Sequence, residues 1–207
     1  MPPKSLPFEL VRALEAMRLA RTSVVQAFNF DLSSQNRALA CRPGCAHCCA
    51  WPVDVSILEG VDLCHYLMAE NRWTTGLREK VRETADIVTG LTFQVWLHSG
   101  TPCVFLGTDN LCTVYTHRPF GCQCTVSTGL PEYCQTPHLN GASHIVSRTT
   151  HLMTFRNMEE EILRVHRLKM LTMPLATALL AAEPICLGNM ELRQADSSIF
   201  AEHLGRL

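Results

Sequence analysis

Cys41-Arg42-Pro43-Gly44-Cys45-Ala46-His47-Cys48-Cys49 places four thiols within nine residues, with a Pro-Gly turn signal between the first two. Such a run follows neither helical nor strand periodicity and reads as a loop whose sulfurs converge. A second block, from Cys103 to Cys124, supplies Cys103, Cys112, Cys122 and Cys124. The expectation is that the two blocks close on each other around metal.

Eleven cysteines in 207 residues leave two chemistries open, a disulfide framework or a thiolate metal site. The count is odd, and the adjacent pair Cys48-Cys49 cannot bridge to itself without strain. The N-terminal residues carry no apolar signal-peptide core. These features favour metal-bound thiolates in a reducing compartment, and so a cytoplasmic location. Hydrophobic residues are 47% and charged residues 18% of the chain, which reads as globular. Net charge is -1 and no basic stripe stands out, so neither nucleic acid nor an acidic membrane surface is an expected partner. The longest apolar run, Pro174 to Leu187, is interrupted by Glu183 and Pro184 and is too short to span a bilayer.

Around the cysteine blocks the periodicity is mostly helical. Val11, Leu14, Met17, Val24, Val25 and Phe28 form an apolar stripe on a first helix that opens near Pro7 and fades between Asn29 and Ser34. Ser56-Ile57-Leu58-Glu59 is a capping-box pattern that opens a second helix to about Glu70, with Cys64 on its buried face. A third helix is predicted over Leu77 to Leu97, and Gly100 with Pro102 stops it. Cys103–Leu106 and Leu111–Tyr115 read as two short strands around a four-residue turn, with Phe105 facing Cys112. If the chain is extended at Cys122 and Cys124, their side chains point the same way. Asn157 followed by three glutamates predicts a helix start, Pro174 another, and Ser197 or Ser198 to Leu207 a last short helix. No linker divides the chain. The expected architecture is mainly α, one domain over 1–207, with helices around an irregular cysteine-ligated centre and one small β-hairpin. The cysteine core covers about 41–124 and a helical C-terminal part about 150–207.

Thiolates are soft ligands and select zinc, copper(I) or iron–sulfur clusters. Eight cysteines could fill two tetrahedral zinc sites, or hold one four-iron cluster with thiols to spare. Adjacent side chains usually diverge, so Cys48 and Cys49 fit a cluster, two neighbouring metals, or one ligand with a supporting thiol beside it more easily than joint ligation of one zinc ion. Cys41-x3-Cys45-x2-Cys48 also has the spacing of the radical S-adenosylmethionine motif, but the helices that follow do not alternate with strands as that barrel requires. Arg118 is the candidate cofactor-binding residue, because a buried thiolate site needs positive charge beside it. Cys134-x3-His138 has ligand-like spacing too, while His47 and His117 read as solvent-facing or as donors to sulfur.

The set Cys41-x3-Cys45-x2-Cys48-Cys49, Pro102-Cys103-x-Phe105-Leu106 and Cys112-x2-Tyr115-x2-Arg118-Pro119-x2-Cys122 resembles the CxxCxxCC family of zinc- or iron-chelating proteins, often called YkgJ-type cysteine-cluster proteins. The resemblance covers about residues 41 to 124. It implies Cys41, Cys45, Cys48, Cys49, Cys103, Cys112 and Cys122 as ligands. Gln123 and Cys124 stand where the family usually has Arg and an aromatic, so Cys124 is a candidate eighth ligand. The family includes flagellin lysine N-methylases, which implies a 4Fe-4S cluster and S-adenosylmethionine-dependent methyl transfer to a protein lysine. The leading expectation is a metal-binding protein with an iron–sulfur centre, favoured over zinc, that acts on a protein substrate or within a larger assembly. The rival is a zinc-stabilised interaction module without catalysis.

Overall fold

The computed structural model describes residues 2–35, 39–42, 44–128, 134, 145–147, 149–167 and 170–192. In chain order the described elements are α1 (Phe8–Ser34), β1 (Asp54–Ser56), α2 (Ile57–Ala69), α3 (Thr75–Val88), α4 (Phe93–Ser99), α5 (Phe120–Gln123), β2 (Thr125–Ser127), β3 (Ile145–Ser147), α6 (Thr149–Val165), β4 (Thr172–Pro174) and α7 (Leu175–Cys186). Two 3-10 turns, His47–Ala50 and Tyr115–His117, lie in the cysteine blocks. The chain is therefore mainly helical, as its periodicity predicts. It forms two compact units, each discontinuous in sequence: Met1–Ala20, Asp54–Leu91 and Asn157–Leu207 in the first, Arg21–Val53 and Thr92–Arg156 in the second.

In the first unit β1 pairs antiparallel with β4, Val55 opposite Met173. Ser56 then caps α2. Its hydroxyl accepts from the Glu59 amide at 3.1 Å, and the Glu59 carboxylate takes the Ser56 amide at 3.3 Å. The same hydroxyl donates to the Glu159 carboxyl at 2.5 Å, with both residues fully buried. Helix α2 packs on α7 across Gly60, where an added Cβ would lie 2.9 Å from the Ala178 carbonyl oxygen. Only a residue without a side chain permits that approach. Cys64 and Cys186 are wholly buried, and their thiols are hydrogen-bonded to each other. Glu183 accepts from the Trp73 indole at 2.9 Å and pairs with Arg78 at 2.6 Å.

Helix α1 buries Leu10, Ala13, Leu14, Met17, Ala20, Val24, Phe28 and Leu32. Val11 and Val25, expected on that stripe, are only half-buried. The predicted third helix is two. Helix α3 ends at Val88, Gly90 turns left-handed at φ 84°, and the Thr92 hydroxyl caps α4 by accepting from Val95. The helical spacing turns Ile87 inward, together with Val95 or Trp96; Trp96 is buried, whereas Ile87 and Val95 are more than half exposed. Helix α6 starts at Thr149, eight residues before the start predicted at Asn157. The helix expected from Ser197 or Ser198 to Leu207 lies outside the described residues. Among the described residues no helix is long and apolar enough to cross a membrane.

Candidate metal centre

Of the ten cysteines from Cys41 to Cys134 all but Cys64 belong to the second unit, and its backbone hydrogen bonds draw their segments together. The first block is fixed at its start, where the Ala40 amide donates to the Ser127 carbonyl on β2 at 2.8 Å. The Cys45 amide then turns back to Arg42 at 3.0 Å, past Gly44 at φ 83°. A side chain at 44 would meet nothing within 4 Å, so glycine serves the turn rather than space. The 3-10 turn His47–Ala50 follows, closed by Cys49 to Ala46 at 2.9 Å. It brings the thiols of the adjacent pair into hydrogen-bonding reach of each other. The expectation that Cys48 and Cys49 diverge holds for extended backbone and fails in this turn.

The second block joins the first directly, through the Cys103 amide on the Cys49 carbonyl at 2.7 Å. The two predicted strands do not form. A single bridge pairs Leu106 with Cys112, one residue out of the expected register. The cause is the loop length. Gly107 donates to the Leu111 carbonyl at 2.9 Å, and Asn110 adopts φ 60°. The loop therefore has three residues, closed by a left-handed position, rather than four. The Asp109 side chain accepts from the Leu111 amide at 3.0 Å and holds that loop.

Arg118 follows the second 3-10 turn. Its Nε donates to the Tyr115 carbonyl at 3.1 Å, and its guanidinium lies 3.8 Å from the centre of the Tyr115 ring. Pro119 then opens the one-turn helix α5, whose Phe120 is fully buried and stacks on Phe155 at 4.3 Å between centroids. Cys122 lies within that turn and Cys124 just past it, so the chain is helical where the side-chain alternation assumed an extended one. Two residues along a helix point to different sides.

The electrostatic neighbours of each thiol follow this arrangement. Burial raises Cys41 above the ordinary thiol range, and Cys48 and Cys45 add to that, against the Ser127 amide and Arg118. The Ser127 amide donates to the Cys41 sulfur at 3.3 Å. The hydrogen bond from Cys49 raises Cys48 furthest, followed by burial. Burial raises Cys122, with Cys103, Cys48 and Cys112 acting the same way. Cys134 is raised by burial and by Cys48, Cys41 and Cys45, and is hydrogen-bonded to the Ser127 side chain. Cys124 is pushed up to about 12 by burial, and the one charge acting on it is Arg118. Eight thiols thus share one neighbourhood: Cys41, Cys45, Cys48, Cys49, Cys103, Cys112, Cys122 and Cys134. Cys124 is shifted by burial and Arg118 rather than by another thiol. Arg118 opposes the raised values at Cys41, Cys48, Cys122 and Cys124, thiols of both blocks.

In donor chemistry this set fits a thiophilic cation. Neighbouring thiols that hold one another protonated ionise together only when a cation compensates the charge. Among the described residues no three Cys, His, Asp or Glu side chains already enclose a single ion. His138 lies outside the described residues. His47 and His117 are half-buried, and the His117 ring is hydrogen-bonded to Thr116 at 3.0 Å. Sequence reasoning missed two supports, Trp51 and Ser127, because neither has a signature of its own; only their positions beside Cys49 and Cys124 could have marked them.

Searches of curated proteins and of solved structures returned no significant match. One family model matches over residues 40–147, just over half of the chain, with the description "Putative zinc- or iron-chelating domain". That span holds the whole thiol neighbourhood, from Cys41 through Cys134, and the chain belongs to the CxxCxxCC family.

Proposed function

We propose that the second unit chelates more than one metal atom in a single thiolate centre, as an iron–sulfur cluster. The observation that carries this reading is the number of thiols that act on one another, eight, with Arg118 acting on Cys41, Cys48 and Cys122 among them. A single tetrahedral ion takes four. A four-iron cluster takes four thiolates as well and leaves the others protonated as hydrogen-bond donors to sulfur, which suits the raised values at Cys41, Cys48 and Cys122. Bound iron–sulfur would supply one-electron chemistry, whereas zinc closed by four thiolates would supply rigidity. Within this chain, Cys48 and Cys49 present a paired donor set, and Arg118 offsets the charge. The further step to S-adenosylmethionine-dependent methyl transfer rests on family resemblance, and no residue of the site favours it over chelation alone.

Anaerobic purification with metal analysis and a visible spectrum tests the proposal. A brown protein with about four irons per chain is expected. A colourless protein with two zinc ions would keep a polynuclear centre and discard iron. One ion per chain would discard both.

A further inference from the structure

We infer that Cys64 and Cys186 are a redox modification site of the first unit, a dithiol that hydrogen peroxide closes to a disulfide. Neither belongs to the thiol neighbourhood of the metal centre. Cys64 lies on α2 and Cys186 ends α7, both in the first unit, and Cys186 is outside the span of the family model.

Contact between the sulfurs follows from how the two helices meet. Gly60 lets α2 approach α7 so closely that a Cβ there would lie 2.9 Å from the Ala178 carbonyl oxygen. One turn further on, Cys64 takes the same face of α2. Helical side chains lean toward the N-terminus, so the Cys64 thiol overlies the turn that holds Val61. The Cys186 sulfur reaches that same turn, 3.7 Å from the Val61 carbonyl. The two thiols hydrogen-bond each other, and both residues have no solvent exposure. A thiophilic cation between them would push the sulfurs apart into a packed interior, whereas an S–S bond draws them together.

Burial sets the rate of oxidation and contact sets the partner. Thiols react with peroxide as thiolates, which a packed interior disfavours. Cys186 is the last residue of α7, ahead of Gly188 at φ 66°, and helix ends open more readily than their middles. Cys186 is therefore oxidised first. Its thiolate attacks one peroxide oxygen and the O–O bond breaks. The hydroxide released takes up the thiol proton and leaves as water, and Cys186 becomes a sulfenic acid. On reclosure the Cys64 sulfur attacks the Cys186 sulfur. The S–O bond breaks, and the Cys64 proton leaves with the hydroxyl as a second water. Two electrons have passed from the two sulfurs to one peroxide. The product ties α2 to the end of α7, where the Cys186 carbonyl also accepts from the Lys4 amide at 3.1 Å.

The test uses the full chain, purified anaerobically with its metal and treated with hydrogen peroxide. Remaining thiols are blocked with N-ethylmaleimide in denaturant, and the unreduced digest is mapped by mass spectrometry. A peptide pair joining Cys64 to Cys186, released by dithiothreitol, is expected from the native chain. The chain oxidised in guanidinium, where eleven thiols compete, should give at least about tenfold less of it. Cys64→Ala should leave Cys186 as a sulfenic acid that dimedone traps, while Cys64 in Cys186→Ala stays unlabelled. Labelling of Cys64 alone would overturn the order of attack. The wild-type map decides the pairing even if both variants fail to fold. Recovery of Cys64 and Cys186 as maleimide adducts, at a dose that oxidises thiols of the second unit, would overturn the inference. So would their linkage to other cysteines in the native chain.

Discussion

Replacing Ser56 by alanine removes one hydroxyl that serves two elements. It caps α2 by accepting from the Glu59 amide at 3.1 Å, and such a cap contributes about 1 kcal/mol. It also donates to the Glu159 carboxyl at 2.5 Å, where both residues have no solvent exposure. A buried hydrogen bond to a carboxyl contributes roughly 1–3 kcal/mol. The bond from the Ser56 amide to Glu59 survives, because it uses backbone. The sum is roughly 3 kcal/mol, or about a 150-fold rise in the opening equilibrium of α2. Hydrogen exchange followed by mass spectrometry on α2 peptides reads this locally, without assuming that the two units unfold together. Ser33→Ala is the control: its exposed hydroxyl donates to the Phe30 carbonyl, and its loss should stay within about 0.5 kcal/mol. A Ser56→Ala change under tenfold would show that the shared hydroxyl is not what fixes the helix start.

Gly60→Ala should lower the thermal midpoint. The new Cβ meets the Ala178 carbonyl oxygen at 2.9 Å and its Cβ at 3.1 Å, and overpacking of about 1–3 kcal/mol outweighs a helix-propensity gain near 1 kcal/mol; a higher midpoint would contradict the close approach. Stability should fall on the alkaline side through Cys64. Its thiol is held protonated in the fold by the hydrogen bond to Cys186 and by burial, while the unfolded thiol ionises near 8.5. Above that pH each unit costs about 1.4 kcal/mol, and the slope in denaturant titrations should shrink in Cys64→Ala; an unchanged slope refutes it. Arg118→Met should move acid release of metal to higher pH by about one unit, because the guanidinium lowers Cys41, Cys48 and Cys122 and its loss makes their protons harder to displace. Metal retained after equilibration across a pH series measures this, and an unmoved midpoint would remove Arg118 from the site.

Local signals carried the helices well where they were complete. Ser56 and Glu59 announce α2 because both halves of a capping box are short-range, and the structure adds only Glu159, a partner 103 positions away that no window contains. The merged helix over 77–97 shows the limit: the apolar spacing runs on through Gly90, while the extended Thr89 and the left-handed φ of Gly90 break it. In the second block the turn residues were visible, but a loop of three or four was decided by the conformation of Asn110, and that one position moved Cys112 from Phe105 to Leu106. The thiols of the first block were evident from composition. The surroundings of Cys124 and Cys134 were not, since they depend on α5 being helical and on the hydrogen bonds of Trp51 and Ser127.

The bond from the Cys103 amide to the Cys49 carbonyl joins segments about fifty residues apart, and the intervening β1, α2 and α3 belong to the other unit. During synthesis this sets an order. Cys41 to Cys49 leave the ribosome first, four thiols in one short loop. At about 5–20 residues per second, Cys103 follows roughly 3–10 s later and Cys134 after a few seconds more. For that interval the nascent chain offers a donor set large enough for one tetrahedral ion but lacks Arg118 and the second block. A metal captured early would have to be surrendered or built upon when the later cysteines arrive, so the first block alone and the completed set of cysteines are different donor sets for the same metal.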